Sequence, residues 1–179
     1  MSLPIRSLAT LAALAATGLG STAAQAQTPQ LRVAVVGGLE RTDSAPGSGA
    51  KDGFYYGVQV GADWDLGAVQ AGVEGELGDS SAQDTTLPGQ PRQALFGNVA
   101  VRLALPVTGG TRVFVRGGYA YHRIDNATGA DFAGHGYVIG GGAEVDLAPS
   151  LFLRGEYRYS DYGQAVRGQH FVAGVGLRF

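Results

Sequence analysis

Cysteine is absent from this 179-residue chain, lysine occurs once, as Lys51, and no apolar run approaches the roughly 20 residues that a membrane-spanning helix needs. The first absence excludes disulfides and thiolate metal sites. The second, with a net charge of −2, leaves no basic surface of the kind a nucleic acid requires. The third leaves strands as the only means of crossing a bilayer. What is abundant is glycine: thirty residues, which weaken helices and ordinary strands alike and need another use.

The opening stretch, MSLPIRSLATLAALAATGLGSTAAQAQ, carries one positive residue, Arg6, then an apolar run from Leu8 to Leu19, then Ala24-Gln25-Ala26. That order fits a secretory signal peptide over residues 1–26 with cleavage after Ala26. Residues 27–179 then form one exported domain.

Eight alternating segments follow, at about 31–40, 55–64, 68–77, 95–105, 112–122, 136–147, 151–160 and 170–179. Each is close to the roughly 9–11 residues of a tilted strand that crosses a bilayer, whereas soluble strands typically have about 5 or 6. Long polar stretches, which include SAPGSG and TTLPGQPRQ, follow the odd-numbered segments; short ones at Asp65-Leu66-Gly67, PVTGGT and APS follow the even-numbered segments. This alternation predicts an all-β, eight-stranded, antiparallel, up-and-down transmembrane barrel with long outer loops, tight periplasmic turns and both ends on the periplasmic side.

Sorting the segments by parity separates two faces. One is uncharged and carries Tyr56, Trp64, Tyr119, Tyr121, Tyr137, Tyr157 and Tyr159, an expected aromatic girdle at the membrane interface. The other carries seven bases and seven acids, interleaved with glycine. Arg32, Glu74, Glu76, Arg102, Arg116, Glu144, Arg154, Glu156, Arg158 and Arg178 are the expected lumen charge network; Arg112, Glu40, Asp63 and Asp146 share their parity. Eight strands leave an interior that side chains can fill, and buried charges are tolerated when paired, so the balance predicts a plug. A narrow passive channel is the alternative for the same face. Parity alone also permits the reverse arrangement, a soluble periplasmic ligand-binding barrel with an apolar interior.

The last strand, HFVAGVGLRF, with LFLRGEYRYSDYG and GYVIGGGAEVDL before it, resembles the opacity-protein-like outer-membrane β-barrel family, which includes small OmpA-type and porin-like surface proteins of Gram-negative bacteria. The resemblance implies an integral outer-membrane protein in contact with lipid, with a structural or surface-exposed envelope role and no cofactor. It also implies that Phe171, Val175, Leu177 and Phe179 match the signal read by the barrel-assembly machinery. Loops carried on a rigid scaffold often bind, so the Pro-, Gly- and Ser-rich stretches offer a surface for an unknown ligand, with solvated loops that take no partner as the default. An eight-stranded lipid A deacylase uses a His-x-Ser element, but here His122, His135 and His170 are followed two positions on by Ile124, Tyr137 and Val172, so neither an enzyme nor a metal site is expected. The sequon Asn126-Ala127-Thr128 is read as accidental in an exported bacterial protein.

Overall fold

The computed structural model describes residues 28–43, 51–80, 93–125, 132–162 and 167–179. The expected signal peptide, SAPGSG, most of TTLPGQPRQ and Asn126 lie outside the described residues. Eight strands run in chain order: β1 Gln30–Asp43, β2 Lys51–Asp65, β3 Gln70–Ser80, β4 Gln93–Thr108, β5 Thr111–Asp125, β6 Phe132–Ala148, β7 Leu151–Asp161 and β8 Arg167–Arg178. Each pairs with its chain neighbours, and β8 returns to β1, closing the barrel. All pairings are antiparallel, and the β1–β8 seam holds register from Arg32↔Arg178 to Asp43↔Arg167. Reciprocal bonds between Leu31 and Phe179 finish the seam, at 3.2 and 3.0 Å. No edge is left unpaired, which is the condition for a sheet to enter lipid.

The strands have 11 to 17 residues rather than about ten. Ladder pairing therefore continues beyond the apolar segments visible in sequence, because a closed sheet satisfies its backbone wherever the next strand reaches. PVTGGT is the clearest difference. Its first part continues β4 through a bulge between Pro106 and Thr108, and the turn contracts to Gly109-Gly110. Both turn residues have positive φ, 51° and 79°, as a tight two-residue hairpin requires.

The alternation of side chains sends one parity into the lumen and the other outward. Among the inward apolar residues, Ala34, Val36, Tyr55, Phe152 and Val172 form one cluster. Its packing leaves no spare room: a Cβ on Gly176 would lie 2.4 Å from Cζ of Phe152 and 2.6 Å from the Val33 carbonyl oxygen.

Candidate functional site

The candidate site is the lumen, whose charged residues come from β1 to β8 and meet near the barrel axis. Glu144 on β6 receives four guanidiniums: Arg32 at 3.2 Å, Arg102 at 2.8 Å, Arg178 at 2.6 Å and, more distantly, Arg154 at 3.7 Å. Arg32 also reaches Asp63 at 2.8 Å and Glu74 at 3.1 Å, so one side chain ties β1 to β2, β3 and β6. Glu74 is the second centre, held by Arg32, by Arg116 at 2.8 Å and by Arg154 at 3.2 Å.

Nearer the loop side, Arg158 Nε donates to Glu156 at 2.7 Å and its Nη2 donates to Glu76 at 2.8 Å. The Tyr55 hydroxyl donates to the other oxygen of Glu76, and Gln59 links the levels by donating to Glu76 at 2.8 Å and accepting from Arg154 at 2.5 Å. On the turn side, Asp146 binds Arg112 at 2.8 Å and also Arg178.

All ten residues of the expected network are thus gathered in one lumen. Their burial is nearly complete; Glu144 is 0 % and Arg154 1 % exposed. Charges withdrawn from water this far need several partners each, since one contact does not offset desolvation. The inward aromatic rings contribute too. Phe114 lies beneath Arg102 and Arg154, with guanidinium carbons 4.7 and 4.4 Å from its centroid, and Phe152 lies 4.3 Å from Arg178. The Nε of Arg102, which has no hydrogen-bond acceptor, belongs to one of these stacked guanidiniums.

The expected ten omit several members of this assembly. Asp63, Arg112 and Asp146 share the charged parity and could have been included on that ground. Tyr55, Phe114 and Phe152 carried a subtler signal: aromatic residues on the face reserved for charge and glycine. Asn98, which accepts from Arg116, had no signal beyond its parity.

The opposite parity makes the outer wall. Val35 is 57 %, Val99 66 % and Phe171 65 % exposed, and the bare apolar surface continues around all eight strands. Water would not tolerate such a band, whereas lipid matches it. This overturns the soluble alternative: the apolar face points out, and the interior is charged. Tyr56, Tyr119, Tyr121, Tyr137 and Tyr157 project outward, with half-buried Tyr159 and Trp64 on the same face. Most of these rings cluster toward the loop side, where Tyr157 meets Phe171 at 4.9 Å and Tyr137 meets Tyr159 at 6.4 Å. Phe171, Val175, Leu177 and Phe179 form an outward row along and just beyond β8.

His135 stacks on Tyr119 outside and His170 lies inside, while His122 is a residue of β5. Among the described residues, no group of three or more His, Asp or Glu side chains is arranged to hold a metal ion.

A closed eight-stranded barrel with paired charges inside and a continuous apolar wall outside is an integral membrane barrel of the bacterial outer-membrane type. The chain belongs to the outer membrane protein beta-barrel domain family, whose model matches residues 12–179. It is 30% identical over 150 residues to the 31 kDa outer-membrane immunogenic protein of Brucella melitensis biotype 1, a match covering 70% of this chain and 62% of the relative. The chain therefore spans less than two thirds of that protein. Among solved structures, the attachment invasion locus protein Ail of Yersinia pestis superposes with a TM-score of 0.62 at 12% identity, covering 86% of this chain and 100% of Ail. Neisserial surface protein A gives 0.62 at 16% identity, covering 83% of this chain and 97% of that protein. At such low identity, these two establish the fold alone.

Proposed function

We propose that this protein is a non-enzymatic envelope barrel, with a structural or surface-exposed role, whose lumen is closed by its arginine–glutamate network. The observation that carries the reading is the direct bridging of opposite walls: Arg154 on β7 reaches Glu74 on β3, and Arg158 on β7 reaches Glu76 on β3. These contacts cross the space that a permeant ion would need. The names of the proteins it resembles, immunogenic, attachment and surface proteins, support a role at the cell surface. On this reading its partners are outer-membrane lipid along the apolar wall, an unidentified ligand at the loop side, and the barrel-assembly machinery, which would read Phe171, Val175, Leu177 and Phe179 during biogenesis.

Single-channel recording in planar bilayers tests the closed lumen. The wild-type barrel is expected to give a baseline without unitary steps, while the paired truncation Glu74→Ala with Arg154→Ala introduces steps. Sustained steps from the wild type would establish the narrow passive channel instead.

A further inference from the structure

On the loop side of the Glu76–Arg158 pair, the lumen is crossed by rings rather than charges. Tyr55 from β2 meets Phe96 from β4 edge-on at 6.4 Å, Phe96 meets Tyr162 beyond β7 at 6.4 Å, and His170 from β8 meets Tyr55 edge-on at 5.6 Å. Against them lies a small cavity of about 20 Å³, room for about one water, lined by these four residues together with Asn98, Ala120 and Arg158 among others. The rings separate the charged core from the loop-side mouth.

Of the four rings, His170 is the one whose ordinary titration falls near neutral pH. Its surroundings are polarised by register. Glu40 on β1 is its direct partner on one side and Arg158 on β7 its direct partner on the other. Glu76 and Glu156 hold Arg158 from within the lumen; Tyr55 and Tyr162 are the other titratable groups around the ring among the described residues. Glu40 accepts from the Ser80 hydroxyl. The imidazole folds back over Gly168, where a Cβ would lie only 2.9 Å from Nε2. A neutral ring suits this apolar contact with Tyr55. A charged ring is drawn toward Glu40 and driven from Arg158, and either movement withdraws it from the Tyr55 edge.

We propose that His170 is the latch of an aromatic stopper at the loop-side mouth, and that charging it opens the underlying cavity to small solutes. This inference rests on the reading of the lumen as closed. Protons are the effector, and the admitted species are small and neutral, since a charged imidazole beside Arg158 repels cations.

The cysteine-free sequence makes the test direct. Ala120→Cys places a thiol on the cavity wall and Asp52→Cys places one on an exposed outer position, each in the full barrel in detergent, with folding verified by heat-dependent gel mobility. The labelling rate with methyl methanethiosulfonate at Ala120→Cys, divided by that at Asp52→Cys, cancels the common dependence on thiolate. A buried imidazole takes up its proton only below the ordinary histidine range, so the ratio is expected to rise severalfold as the pH falls from about 7.5 to about 4.5. Adding His170→Gln abolishes the rise. An unchanged ratio, or an equal rise with His170→Gln, overturns the latch. Ser160→Cys, on the same cavity, serves if Ala120→Cys does not fold. A measurement needing no change at His170 follows the Tyr55 ring signals by NMR: they should shift with the midpoint of labelling, and ring signals that stay fixed overturn the proposal. Bilayer steps from wild type at neutral pH would defeat the closed-lumen reading; a silent barrel with a fixed labelling ratio defeats only the latch.

Discussion

Arg32 on β1 and Arg178 on β8 are direct partners across the barrel seam, and both bind the Glu144 carboxylate of β6. Like charges placed opposite each other destabilise a sheet. Here the third strand supplies the counter-charge, so the seam closes around it. β4 and β5 repeat the device: Arg102 and Arg116 are direct partners, with Arg102 drawn to Asp63 and Glu144 and Arg116 to Glu74. Carboxylates contributed through the lumen thus neutralise repulsions that the hydrogen-bonding register creates.

Glu144→Gln should therefore weaken the barrel by more than a single surface ion pair would. It leaves Arg32, Arg102 and Arg178 without their shared anion, and removing one partner from a buried ionic group costs about 3–5 kcal/mol. Urea unfolding in lipid vesicles measures the loss. A change within about 1 kcal/mol, the scale of an exposed pair, would mean that the network is redundant.

The lipid-facing wall is tested by depth. Val99→Arg lies in the middle of β4 and should cost about 2–4 kcal/mol, whereas Val107→Arg, near the turn, should cost about 0–1 kcal/mol. The neighbour Asn98 is unsuitable as an inward control because it accepts from Arg116, and a second arginine there would meet a like charge. Equal costs at positions 99 and 107 would contradict the depth assignment.

Gly176→Ala should destabilise by about 1–3 kcal/mol, the usual cost of forcing a methyl group into a filled interior. Its Cβ would collide with the Phe152 ring, itself packed beneath Arg178. Pairing the change with Phe152→Leu should recover part of the loss; no recovery in the double variant would place the strain in the backbone instead.

Phe114→Leu tests whether rings contribute to holding the charges. Two guanidiniums stack on this side chain, and each such contact is worth about 0.5–2 kcal/mol. Thermal or urea unfolding should show a loss larger than for Phe96→Leu, since Phe96 is half-buried and packs against the rings of Tyr55 and Tyr162 rather than in the charged core. The reverse order would assign the stability to the mouth layer.

Much of this architecture is legible in sequence because a strand has a period of two. Alternation in HFVAGVGLRF places Phe171, Val175 and Leu177 on one face and Arg178 on the other without any knowledge of neighbours. The same logic sorts Glu74 and Glu76 onto one face and Val73 and Leu77 onto the other. It fails where side-chain period is uninformative: the length of β4 through PVT depends on a bulge and on pairing with β5, and the inward placement of Phe114 contradicts the preference that its residue type alone suggests.

By itself, the sequence determined that there are eight strands, that each has a charged and an apolar face, and that acids balance bases on the charged one, since these follow from residue order and period. Only the tertiary structure decided which face is inside, because parity is symmetric under inversion until the sheet curves and closes. It also decided the partners: Arg32 and Glu144, or Arg154 and Glu74, lie on strands that do not pair, and only closure brings them across the lumen to within 3.2 Å.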